Sequence, residues 1–147
     1  MDLDDKAFRA YMGKHCACFN LRRASRLVTQ KYDQALRQTG LTANQFSILI
    51  AAYNRDGLGI LKLAKILGME RTTLTRNVAI LERLGFAGIN PGRDKRERRV
   101  AVTQKGKDRL KQALPLWQQV QEDMVALIGA DKWERLLSGL QEVSRKA

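Results

Sequence analysis

The chain has 147 residues, enough to bury a core and about the size of one domain. Its 27 Lys and Arg against 15 Asp and Glu give a net charge of +12, which points to a polyanionic partner. No stretch approaches the roughly 20 apolar residues of a spanning helix, and three aspartates among the first five residues are unlike a signal peptide. Cys16 and Cys18 stand too close to build a disulfide framework, so a reducing cytoplasm is the expected compartment, with no membrane partner.

Residues 5–38 read as one long helix. Phe8, Tyr11, Cys18, Leu21, Ser25, Val28, Tyr32 and Ala35 recur near helical spacing, and Gly40 supplies the stop. Thr42 then caps a second helix, with Gln45 three residues on completing a capping box. Its apolar face is expected to be Phe46, Leu49, Ile50 and Tyr53, and Asp56-Gly57 ends it. A short third helix covers Ile60–Leu67, turned at Gly68.

The fourth helix is expected over residues 71–84. Leu74, Val78 and Leu81 fall on one stripe of the wheel and must face the core. Thr72, Arg76, Ala79 and Arg83 lie opposite, with Arg71, Thr73 and Thr75 at the edges of that face. Threonines can hydrogen-bond phosphates or base edges, and an arginine can grip guanine in bidentate fashion. A solvated helix face would carry similar residues, so the neighbours have to decide.

Those neighbours are a preceding helix with a glycine turn and a following basic hairpin. Phe86–Ile89 and Arg98–Thr103 read as strands, with Val100 and Val102 alternating inward. The link between them carries Arg93, Lys95 and Arg96, and Arg98 follows at its base. An extended arm with a tip arginine, here Arg96, suits a narrow minor groove; Asp94 could orient it or hold an arginine of the hairpin base. The charge is concentrated in the same place. Residues 55–111 hold fifteen basic and six acidic side chains, against eight and four before them and four and five after.

From Gln104 onward the chain is helical again, with Leu110, Leu114, Trp117, Val120, Met124 and Ile128 in one apolar stripe. Pro115 should kink this helix or start a new segment. Gly129-Ala130-Asp131 breaks it, and Trp133, Leu136, Leu137 and Leu140 make a last amphipathic helix. Leu114, Trp117, Val120, Leu137 and Leu140 need a second surface: they pack back on the first helix of the same chain or pair with another copy, and a homodimer through the terminal helices is the favoured arrangement.

Three segments together resemble the MarR family of winged helix-turn-helix regulators: GLTANQFSIL at 40–49, LAKILGMERTTLTRNVAILERLGF at 63–86, and DKRERRVAVTQKG at 94–106. In the last, Val102 stands where the family's wing signature has leucine. The resemblance implies a mainly α fold with a small β-hairpin wing and N- and C-terminal dimerisation helices. On that pattern residues 1–147 form one domain, with a DNA-binding lobe at 42–103 and dimerisation helices at 5–38 and 104–147. It also implies a homodimer on a pseudo-palindromic duplex operator, usually acting as a repressor. The DNA contacts would come from Thr72, Thr73, Thr75, Arg76, Arg83, Arg93, Lys95, Arg96 and Arg98.

The inducer is expected to be a small ligand or an oxidant. On one continuous helix His15, Lys14 and Arg22 share the face of Cys18, a setting that raises the thiolate fraction. CFNLRRASRLVTQKY at 18–32 resembles the peroxide-sensing OhrR branch, in which Cys18 would be the oxidised thiol and Tyr32 a supporting tyrosine. Arg22 and Ala43 occupy the places of two further tyrosines of that branch. Cys18 as an inert interface residue and Cys18 as a thiophilic-metal sensor across the dimer are the competing readings. Other family members bind small aromatic acids, and Tyr32, Phe46, Tyr53 and Arg22 could line such a pocket. One histidine and two cysteines two positions apart do not supply a structural metal site, and no cofactor is expected. No catalytic constellation points to an enzyme; the rival is a basic architectural or RNA-binding protein without sequence readout.

Overall fold

The computed structural model describes residues 4–54, 57–91 and 98–146. Two helices, α1 (Lys6–His15) and α2 (Ala17–Leu36), replace the single helix expected at the N-terminal end. The chain breaks at Cys16, whose backbone is extended at φ −69° and ψ 109°. The break leaves the Lys14 carbonyl without its helical partner. The side-chain amide of Asn20 fills that role, donating to Lys14 O at 3.1 Å and to Cys16 O at 2.9 Å. A 3₁₀ turn, Arg37–Thr39, closes α2, and Gly40 takes the left-handed conformation (φ +71°) that releases the chain.

The third helix, α3 (Ala43–Tyr53), starts at the expected capping box: Thr42 Oγ1 accepts from Gln45 N at 3.2 Å, and Gln45 Oε1 accepts from Thr42 N at 3.0 Å. Asp33 on α2 accepts from Ala43 N at 2.6 Å and fixes α3 against it. Phe46, Ile48, Leu49, Ala51 and Ala52 are buried. Tyr53, expected among them, is 49% exposed and its ring lies under the Lys107 ammonium at 5.7 Å. The helix enters the core with one face rotated towards Ile48 and Ala52, which leaves Tyr53 at the rim.

A two-residue strand, β1 (Leu58–Gly59), leads into α4 (Ile60–Leu67) and then α5 (Arg71–Arg83). The expected hairpin follows as β2 (Ala87–Pro91) and β3 (Arg98–Val102), and the sheet order is β1-β3-β2, all antiparallel. The strand β1 was not anticipated; it pairs Leu58 with Val100 and Gly59 with Arg99. Leu36, Ile48, Leu49, Leu63, Leu74, Leu81, Val78 and Val100 are the largest fully buried side chains, so the core lies between α3, α4, α5 and the sheet.

The long helix α6 (Gln104–Ile128) runs through Pro115 without a new segment, and α7 (Ala130–Lys146) follows Gly129. Proline removes one amide donor, which orphans the Lys111 carbonyl. Both residues are exposed, so the lost bond lies on the solvent side of the helix. Val120 and Met124 are buried, and Trp117 stacks on Phe46 at 6.3 Å. Tyr32 joins α2 to α6 by donating its hydroxyl to Gln121 Oε1 at 2.7 Å. Of the two surfaces expected for them, Val120 and Trp117 therefore find theirs within one chain. Among the described residues, no helix is long and apolar enough to cross a membrane.

Candidate nucleic-acid interface

The helix pair is set by its turn. Gly68 adopts φ +59°, and the amides of Gly68 and Met69 bond back to Lys65 O and Ala64 O, which ends α4 sharply. The next helix, α5, then sinks Leu74, Val78 and Leu81 completely into the core. Burial of that stripe fixes the rotation of the helix about its axis. Thr72, Thr73, Thr75, Arg76, Ala79 and Arg83 are consequently exposed, as the wheel predicted.

The chemistry of that face is uneven. Thr75 Oγ1 donates to Arg71 O at 2.8 Å, so its outward functions are lone pairs and a methyl group. Asn77 is occupied in the same way with Thr73 O at 2.9 Å. Arg76, Arg83 and Arg98 form no ion pair or side-chain hydrogen bond with any described residue, which leaves their guanidinium donors available. Glu70 precedes α5 without a side-chain capping bond, so the first amides of the helix also point outward unpaired. Unpaired amides at a helix N-terminus favour a phosphate group. Lys62 and Lys65, exposed on α4, add cations one helix earlier; their three-residue spacing was present in the sequence but was not singled out.

The hairpin is described up to its last pair, Pro91 with Arg98. Arg93, Asp94, Lys95 and Arg96 lie outside the described residues. Arg98 is exposed at the hairpin base. Its neighbour Arg99 is used differently: Nη2 donates to Gly57 O at 2.8 Å and ties the hairpin to the approach of β1. A backbone carbonyl thus holds Arg99; the role expected of Asp94 falls outside the described residues.

The candidate sensor residues are brought together less well. Cys18 is exposed in the first turn of α2, and Arg22 stands one turn further on. His15 and Lys14 belong to α1, across the break at Cys16, so the shared helical face does not extend to them. His15 instead stacks on Tyr11 at 4.3 Å. Tyr32 lies fourteen positions along α2 from Cys18, about 21 Å at the helical rise, and cannot touch it within one chain. Its phenol is half-buried, and that desolvation raises its pKa above the usual tyrosine value, while the hydroxyl donates to Gln121.

Of the residues expected to line a ligand pocket, Phe46 does so. A cavity of about 420 Å³ lies between α3, α4 and α6, lined by Phe46, Ile50, Leu67, Leu114 and Trp117, with Ser47 and Asn54 as polar groups. Tyr32, Tyr53 and Arg22 are not part of its lining.

Comparison with known proteins gives this geometry a setting. Residues 41–88 match the model of the MarR family. The Mycobacterium tuberculosis transcriptional regulator MosR, solved in complex with DNA, is 39% identical, with a TM-score of 0.81 over 90% of this chain and 96% of that one. The transcriptional repressor CouR, bound to a 23-mer DNA duplex, is 27% identical, with a TM-score of 0.80 over the same shares. The regulator SarZ of Staphylococcus epidermidis is 28% identical over 100 residues, 67% of each chain. The chain belongs to the MarR family of winged helix-turn-helix transcription regulators.

Proposed function

We propose that the protein is a dimeric repressor that reads a pseudo-palindromic duplex operator. The carrying observation is α5: a fully buried apolar stripe, an exposed Thr72–Thr75–Arg76 face with a free guanidinium, and an uncapped N-terminus. In this reading residues 42–103 are the DNA-binding lobe. Thr72, Thr75 and Arg76 read the major groove, with Thr73 at the edge and Arg83 on phosphate. Arg98 and the residues Arg93, Lys95 and Arg96 grip the neighbouring minor groove. MosR and CouR, both solved on DNA, support the assignment.

The terminal helices, 5–38 and 104–147, serve as the dimer surface. No residue of α7 is buried, and Leu136, Leu137, Leu140 and Val143 are all exposed along it. Tyr11, Phe19 and Leu27 on α1 and α2 present a second apolar surface. Exposure of this extent is costly for a single chain and is relieved by a twofold copy.

Release from DNA by a small apolar or aromatic ligand is favoured by the cavity at Phe46 and Trp117, whose volume suits such a molecule. Oxidation of Cys18 is the second route, favoured by the exposure of its thiol. Treatment with an organic hydroperoxide separates them: loss of DNA binding by wild type but not by Cys18→Ser supports the thiol, whereas equal release of both rules it out. The operator reading is tested by selection from a random duplex pool. Two inverted half-sites about one helical turn apart support it; enrichment of basic-patch binding without any common sequence supports the architectural or RNA-binding rival.

A further inference from the structure

The end of α5 is bolted to the start of α6 by three hydrogen bonds. Three successive carbonyls follow α5, those of Leu84, Gly85 and Phe86. Leu84 O accepts from Lys105 Nζ at 2.8 Å, Gly85 O accepts from Thr103 Oγ1 at 2.6 Å, and Phe86 O accepts from Thr103 N at 3.1 Å. The same Thr103 hydroxyl accepts from Gly106 N at 3.0 Å, so one oxygen both caps α6 and tethers α5. The approach is close enough to demand glycine: a Cβ on Gly106 would sit 2.0 Å from the Phe86 carbonyl oxygen.

An ordinary helix C-terminus is closed by local bonds, and α5 has those already, from Gly85 N to Glu82 O and from Phe86 N to Leu81 O. The contacts to Thr103 and Lys105 are additional and remote in sequence. What they add is orientation of α5 relative to α6, a helix of 25 residues and so about 37 Å long. A tilt of about 10° at this junction moves the far end of α6 by about 6 Å over that length. That is nearly two base-pair steps of roughly 3.4 Å.

We infer that Thr103 and Lys105 are positioning residues that set the separation of the two half-sites the dimer accepts. The inference rests on the operator reading above, because α6 carries the proposed dimer surface while α5 carries the proposed DNA contacts. Neither residue reads a base in this account; Lys105 has its ammonium on a backbone carbonyl.

The test uses the full-length protein, the operator recovered by selection, the same operator with one base pair inserted or removed at its centre, and an isolated half-site. Wild type is expected to prefer its own spacing by roughly a hundredfold, within the range of specific over altered sites. Thr103→Val and Lys105→Met are expected to reduce that preference to about tenfold or less while half-site affinity stays within about twofold. Thr103→Ser, which keeps the hydroxyl, restores the wild-type preference. Retention of the full spacing preference by both variants overturns the inference. So does an equal fall in half-site and full-operator affinity, which would mark lost contacts or lost folding. If Thr103→Val does not fold, Lys105→Met decides, because its side chain is exposed. A wild type that selects no paired half-sites overturns the operator reading itself, and this inference with it, before any variant is compared.

Discussion

Helices α5 and α7 treat the same residue type in opposite ways. In α5, Leu74 and Leu81 are fully buried in a core completed by one chain. In α7, Leu137 and Leu140 remain more than a third exposed, and no residue of that helix is buried. Folding of one chain therefore buries the stripe of α5 and leaves that of α7 exposed. The lesson is that leucine at helical spacing signals a buried surface but not whose surface buries it.

Paired substitutions can break this contrast. Leu74→Ala should cost about 2–5 kcal/mol of unfolding free energy, because the cavity cannot collapse among fully buried neighbours; urea unfolding should shift by the same amount at every protein concentration. Leu140→Ala should act on association instead. A twofold interface loses the side chain twice, so the dimer dissociation constant should rise roughly a hundredfold, measured by sedimentation equilibrium. Equal, concentration-independent losses for both leucines would remove the distinction between the regions.

Smaller effects sharpen it within the lobe. Arg76→Ala should weaken operator binding by about 1–3 kcal/mol and relax the preference at one base position in each half-site, read from competition among single-base variants. Arg96→Ala should weaken all duplexes alike and reduce the salt slope by about one, since a phosphate or minor-groove cation carries little sequence information. Normal binding by Arg96→Ala would remove the hairpin from the DNA-binding surface. Smallest of all, Thr42→Ala should cost about 1 kcal/mol of stability by opening the capping box of α3, and should leave base preference untouched.

The lobe was legible in the sequence because its signals are local. The capping box of Thr42 and Gln45, the turn at Gly68 and the stripe of Leu74, Val78 and Leu81 each specify backbone or burial within a few residues. The failures have a common cause in bonds that spacing does not display. Apolar periodicity continues through Cys16, yet the chain breaks there with a side-chain amide from Asn20 holding the loose Lys14 carbonyl. That break separates His15 from Cys18 and removes half of the sensor face inferred from an unbroken helix. β1 is only two residues long, too short for alternation to register, and exists because β3 and Arg99 hold it. Of the kink or new segment expected at Pro115 the new segment is absent: exposure makes the lost hydrogen bond inexpensive and α6 continues. The exposed face of α5 was thus readable almost residue by residue, whereas its link to α6 depends on Thr103 and Lys105, remote from α5 in sequence.

The most direct test of the account is a stoichiometric competition experiment with the selected operator. Sedimentation of the protein with labelled operator, in the presence of a roughly thousandfold excess of random duplex, reads both occupancy and the number of chains bound. The account predicts that the operator remains occupied by two chains. Displacement by random duplex, or a saturating complex of one chain per operator, would contradict it.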